Sequence, residues 1–165
     1  MRITGHGIKG CYIAGNSVIN PGYLMIYLED GASDCFIQNN TFEENNSNAV
    51  RVDYGTGNII RSNTFIGDKP WELILLLEGG NTELSAPVVS SAAGTSISGT
   101  TCAFGRVEVY LYAKSGIVSL GFAQADGNGA LDFTSKESLS GKQVILMVTD
   151  TLNNTSAFSQ LCAVS

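Results

Sequence analysis

Charge is what this sequence has least of. Only 15% of its 165 residues are charged, against roughly 25% in an average soluble domain. The nine Lys and Arg are scattered and the formal net charge is −6. That argues against a nucleic-acid partner, because neutralising phosphates needs clustered cations. Long apolar runs are missing too. Even Leu73–Leu77, among the longest, is far short of the roughly 20 residues that span a bilayer, so no membrane partner is expected. There is one His, and the four Cys form no Cys-x-x-Cys pair, so a zinc site of ordinary spacing is not expected. With no partner in view, His6 reads as a turn residue rather than a general base. No stretch carries the sustained 3.6-residue period of a long amphipathic helix. The opening "MRITGHGIKG" lacks the apolar centre of a signal peptide. It reads as the middle of a repeat, which raises the expectation of a chain cut from a larger protein.

What is abundant is turn and strand chemistry: 19 Gly, with many Thr, Ser, Asn, Val and Ile. Three phrases recur, "YIAGNSV" at Tyr12–Val18, "FIQNNTF" at Phe36–Phe42 and "IIRSNTF" from Ile59 to Phe65. Aligned, they superpose Ile13, Ile37 and Ile60, then Asn16, Asn40 and Asn63, then Val18, Phe42 and Phe65, with spacings of 24 and 23. Between them "LMIYLEDG", "NAVRVDYG" and "ELILLLEG" align Ile26 with Val50 and Ile74, and Leu28 with Val52 and Leu76. Two short strands per period in the low twenties predict a β-solenoid in which each coil stacks about 4.8 Å above the last. Equivalent Ile and Phe then pile up inside, and Asn16, Asn40 and Asn63 form a hydrogen-bonded structural ladder.

These phrases resemble the repeats of right-handed parallel β-helix proteins, the pectate lyase-like superfamily, over about residues 3–80. The resemblance implies coils at the C-terminal end of a right-handed β-helix over 1–82, about three of them. The superfamily includes polysaccharide lyases, glycoside hydrolases and non-catalytic surface proteins, so it fixes no activity. None of its catalytic motifs maps onto a residue here.

The period stops after "GGNTELSAPVV". Seven short strands are expected in the second half: Pro87–Ser91, Ser96–Cys102, Arg106–Lys114, Ile117–Ala125, Ala130–Ser135, Val144–Asp150 and Ala157–Val164. The segments "ISGTTCAFGRVEVYLY", "QADGNGALDFT" and "VTDTLNNTSAFSQLCAV" resemble the immunoglobulin-like modules appended to large bacterial surface proteins. This implies an all-β chain whose residues 83–165 form an immunoglobulin-like β-sandwich. It also implies a disulfide between Cys102 and Cys162, with separate buried thiols as the alternative, and a hairpin closed at Asp126–Gly129. That turn could also be imagined as a calcium loop, but further spaced Asp residues are missing. Cys11 and Cys35 align two residues before the stacked Ile; in-register neighbours suit a disulfide poorly, and free thiols are expected.

Strand parity points Tyr27, Glu29, Arg51 and Asp53 outward together. This candidate binding patch is the one place where an aromatic ring, a cation and two carboxylates meet. Carboxylates about 5 Å apart match retaining glycosidases, or a calcium site if more oxygens join. The solvated structural reading follows from stacking alone, and no catalytic residue is assigned. No cofactor is expected beyond that calcium option. Trp71 aligns near Tyr23 and suits a sugar platform or a domain contact. Leu73, Leu75 and Leu77 point outward, so a cover is expected, either the sandwich or a second chain. The open β-helix end offers another surface for self-association. The function these readings favour is a non-catalytic piece of an extracellular or cell-surface protein, acting as a spacer or binding polysaccharide or a surface protein. The alternative is the C-terminal part of a polysaccharide lyase or glycoside hydrolase.

Overall fold

The computed structural model describes residues 1–19, 24–43, 48–66, 73–113 and 115–165. The first half holds β1 (Arg2–Ile3), β2 (Tyr12–Ala14), β3 (Ser17–Ile19), β4 (Ile26–Leu28), β5 (Phe36–Gln38), β6 (Thr41–Glu43), β7 (Val50–Asp53), β8 (Ile59–Arg61), β9 (Thr64–Ile66) and β10 (Ile74–Leu77). They make three parallel ladders, β1-β4-β7-β10, β2-β5-β8 and β3-β6-β9. Register is rung on rung: Ile13, Ile37 and Ile60 pair in one column, Val18, Phe42 and Phe65 in a second, and Ile26, Val50 and Ile74 in a third. The rings of Phe42 and Phe65 stack with centroids 5.4 Å apart.

The corners repeat as faithfully as the strands. Gly15, Asn39 and Ser62 share a left-handed φ of 69°, 55° and 53°, and Asp30, Tyr54 and Glu78 share 53°, 65° and 53°. Each non-Gly member of these columns costs about 1–2 kcal/mol of backbone strain, offset by the stacked core that each corner closes. Glycine is obligatory where one coil's turn lies directly on the next. A Cβ on Gly55 would stand 1.8 Å from the Ala32 carbonyl oxygen.

The second half holds β11 (Val88–Ala93), β12 (Ser96–Thr100), β13 (Arg106–Ala113), β14 (Gly116–Gln124), β15 (Ala130–Thr134), β16 (Gln143–Thr149) and β17 (Cys162–Ala163). One antiparallel sheet runs β11-β12-β15. The other, β17-β16-β13-β14, continues through an antiparallel pairing of Ile117 with Phe65 into β9-β6-β3. One sheet therefore passes from the coils into the C-terminal half. Strands β13 and β16 are buried on both faces, which is why they read as near-continuous apolar runs. Val107, Val109, Leu146 and Val148 face Ile97, Leu131 and Phe133 of the other sheet. Tyr110, Ile117, Ile145 and Met147 face the other way and join the core of the coils.

Three expectations are corrected. Leu73 is buried rather than outward. Its carbonyl accepts from both Ala49 and Val50 amides, so strict alternation begins only after it. Met25–Ile26, Ala49–Val50 and Leu73–Ile74 are accordingly pairs of successive inward residues. The last expected strand shrinks to β17, because Ser156 and Ser159 hydroxyls take the Val148 and Leu146 amides that a strand would use. The Asp126–Gly129 turn closes no hairpin. It carries the chain between sheets, since β14 pairs with β13 and β15 pairs with β12.

Candidate functional site

The outward patch forms on β4 and β7, where Tyr27 stands beside Arg51 in register. Arg51 Nε donates to Asp53 Oδ1 at 2.9 Å and its Nη2 donates to Oδ2 at 2.7 Å. The Tyr27 hydroxyl donates to the same Oδ2 at 2.6 Å, and the guanidinium lies 4.7 Å from the Tyr27 ring centroid. Arg2 of β1 pairs with Glu29 and adds a second cation over Tyr27 at 5.7 Å. The result is a closed column of alternating charge running up the outside of one sheet.

Its electrostatics oppose acid–base work. Burial pushes the Asp53 carboxyl up, but hydrogen bonds from Arg51 and Tyr27 outweigh it and hold the group below the usual carboxylate range. The hydrogen bond to Asp53, with burial adding to it, pushes the Tyr27 phenol up to about 12. Asp53 is thus a buried, doubly engaged anion, and Glu29 faces a cation of its own. Among the described residues no group of three or more His, Cys, Asp or Glu could hold a metal ion. Leu75 and Leu77 continue the columns of Arg51 and Asp53 and are half-buried. Trp71 and Tyr23 lie outside the described residues. His6 is an exposed turn residue beside a shallow 270 Å³ hollow shared with Asp30 and Tyr54.

The asparagines stand at the corner after the second strand of each coil. Asn40 Oδ1 accepts from the Asn16 amide at 3.0 Å, and Asn63 Oδ1 accepts from the Asn40 amide at 2.9 Å. Their Nδ2 groups donate upward, Asn40 to the Ile13 carbonyl and Asn63 to the Ile37 carbonyl. A second ladder escaped the sequence reading. Asn58 Oδ1 accepts from the Cys35 amide, and Asn81 Oδ1 accepts from the Asn58 amide, both at 3.0 Å. The signal was available as Gly-Asn at 57–58 and 80–81, spaced by 23. It was hidden because the coil above puts Cys35 where these coils put Asn.

The last coil is closed by side chains from far along the chain. Asn154 Oδ1 accepts the Gly57 amide at 2.7 Å and Thr155 Oγ1 accepts the Ile60 amide at 3.0 Å. Glu108, 3% exposed, accepts the Ser62 amide at 2.8 Å and also bonds the Tyr110 hydroxyl. Burial, with the Glu108 charge behind it, raises the Tyr110 phenol well above its ordinary value. Phe158 ends the Phe column, meeting Phe65 edge-on at 5.5 Å and Tyr110 at 5.5 Å. At the opposite end the interior opens into a 500 Å³ hollow that includes Ile13, Val18 and Ile26.

All four cysteines are free thiols. The expected Cys102–Cys162 bond is absent. Cys102 Sγ sits by Gly105 and the Val148 side chain, whereas Cys162 pairs with Val144. Four residues of strand separate the two points, roughly 13 Å at 3.3 Å per residue, beyond the about 7 Å that a disulfide tolerates. Burial pushes the Cys35 thiol up to about 11. Asp126 Oδ1 accepts the Asn128 and Ala130 amides at 2.8 Å each. Those amides, Ala130 first, hold its carboxyl below the usual range.

Comparison with curated proteins finds no match. Comparison with family models finds one, described as a right handed beta helix region, over residues 1–115. That match covers more than half the chain and runs past the end of β13, and with three parallel ladders in vertical register it establishes that the chain belongs to the right-handed β-helix family.

Proposed function

We propose that this chain is a non-catalytic, structural piece of an extracellular or cell-surface protein, in which β-helix coils over residues 1–82 are followed by a second module over residues 83–165. The observation that carries the reading is the state of the patch. Each of its carboxylates already holds an arginine, and Asp53 is also bound by a phenol. A carboxyl so held is neither a poised acid nor an open metal ligand. The cap supports the same reading, because the second half supplies hydrogen-bond partners and an aromatic plug to the last coil. For residues 83–165 an immunoglobulin-like fold is the reading favoured by strand order, three strands facing four with crossovers between layers. Polysaccharide or protein contact belongs to the same reading, as does self-association through Leu75 and Leu77 or through the coil face near Met1.

The test is an assay of the chain against acidic and neutral polysaccharides, read as new reducing ends and as absorbance of unsaturated products. No product is expected. Product that disappears in the Glu29→Ala/Asp53→Ala variant would return the patch to catalysis and overturn the proposal.

A further inference from the structure

Away from the patch, β11 and the residues leading into β17 form a wedge. At its closed end the Ser165 amide donates to the Ala92 carbonyl and the Gly94 amide donates to the Ser165 carbonyl. One residue bonding both neighbours of Ala93 is the pattern of a parallel ladder. Toward Pro87 and Gln160 that ladder stops, and a cleft of 610 Å³ opens between residues 86–89 and 158–163. This lies within the roughly 300–1,000 Å³ of ligand-sized clefts.

The chemistry of the walls selects the occupant. Val88 and Val89 pair with Thr100 and Gly99 of β12 on one side. Among the described residues, the backbone of 86–89 makes no other hydrogen bond, and neither does the amide or carbonyl of Leu161. Neither wall carries a charged side chain. Ser159 is spent, its hydroxyl accepting from the Leu146 amide and donating to the Gln160 carbonyl. An ionic ligand would find no countercharge in either wall. A neutral polypeptide backbone would find unpaired amides and carbonyls, with exposed Val88 and half-buried Val89 and Leu161 to receive alternate apolar side chains.

We infer that residues 86–91 and 158–163 form a docking cleft for an extended, uncharged peptide segment of a partner protein, which adds as a strand beside β11 and prolongs the ladder begun at Ser165. The proposal is independent of whether the outward patch binds anything.

The experiment titrates the isotope-labelled full chain with three synthetic heptapeptides: alternating Val and Thr, the same sequence N-methylated at every second amide, and a version with Glu and Lys at the Thr positions. Amides of Val88–Ser91 and Gln160–Ala163 are expected to shift and to gain exchange protection with the first peptide. N-methylation is expected to weaken binding by about tenfold or more, as loss of strand hydrogen bonds requires. Val89→Pro is expected to abolish it, and Val88→Glu, at an exposed side chain of the wall, to do the same where proline disturbs the fold. Absence of saturable shifts, shifts elsewhere, or equal binding of the N-methylated peptide would overturn the proposal. So would a concentration-dependent dimer that protects these amides without peptide, since the occupant would then be a second copy.

Discussion

The two halves of this molecule solve the same problem by different means. Among the described residues of the first half no strand exceeds four residues, too short to be stable as an isolated pair. Its stability is vertical: each residue meets its equivalent 23 or 24 positions away. In the second half the strands reach nine residues and pair antiparallel with chain neighbours. The repeating half is easy to extend and has no natural stop. The non-repeating half ends it, because β13 and β16 turn one face to the β11-β12-β15 sheet and the other to the coils. A stack of identical rungs is only as secure as the residue that closes it.

This contrast can be broken at the junction. Phe65 is fully buried between Phe42 and Phe158. Phe65→Ala is expected to cost about 3–5 kcal/mol, the range for a large buried aromatic, and to lower the urea midpoint of both halves in one transition. Two separated transitions would show that the shared core does not couple them. A second measurement sharpens the vertical argument. Asn63 is 1% exposed and Asn16 lies at the exposed end of the same ladder. Asn63→Ala is expected to cost about 1–3 kcal/mol, because it strands buried partners, while Asn16→Ala costs a few tenths. Equal costs would mean that the ladder does not transmit. The smallest effect is acid sensitivity. Asp53 has a depressed folded pKa, so its contribution to stability is present above the ordinary carboxylate value of about 3.9 and is lost as pH falls through the folded value. Arg51→Gln is expected to flatten that acid limb of stability against pH, measured by urea unfolding between pH 6 and pH 2.

The columns of Ile, Phe and Asn were legible because a repeat writes the same residue at the same place several times. Parity also grouped Tyr27, Glu29, Arg51 and Asp53, but it could not show that Arg51 and Tyr27 close over Asp53 and bury it. Arg2 was missed, because it stands 25 positions before its partner Tyr27, one residue out of phase with the spacing of 24 that joins Tyr27 to Arg51. The inward turn of Leu73 was missed because strict alternation was assumed before the strand begins. Phe158 reads locally as one more strand residue, and only the neighbouring serine hydroxyls, by occupying the β16 amides, free it to turn toward Phe65. The thiols show the limit of family likeness. Resemblance placed Cys102 and Cys162 near matching strands, but not at the same height along them.

The hydrogen bonds from Gly57 to Asn154 and from Ile60 to Thr155 join residues 97 and 95 positions apart. During synthesis, the coils emerge from the ribosome long before these partners do. Until then β8 and β9 present open edges and the Phe column ends in water, the condition in which nascent β-structure is most prone to mispair. Completion of the first half thus waits on residues made 97 and 95 positions later, and a chain paused between Ile60 and Asn154 leaves this end of the coils uncapped.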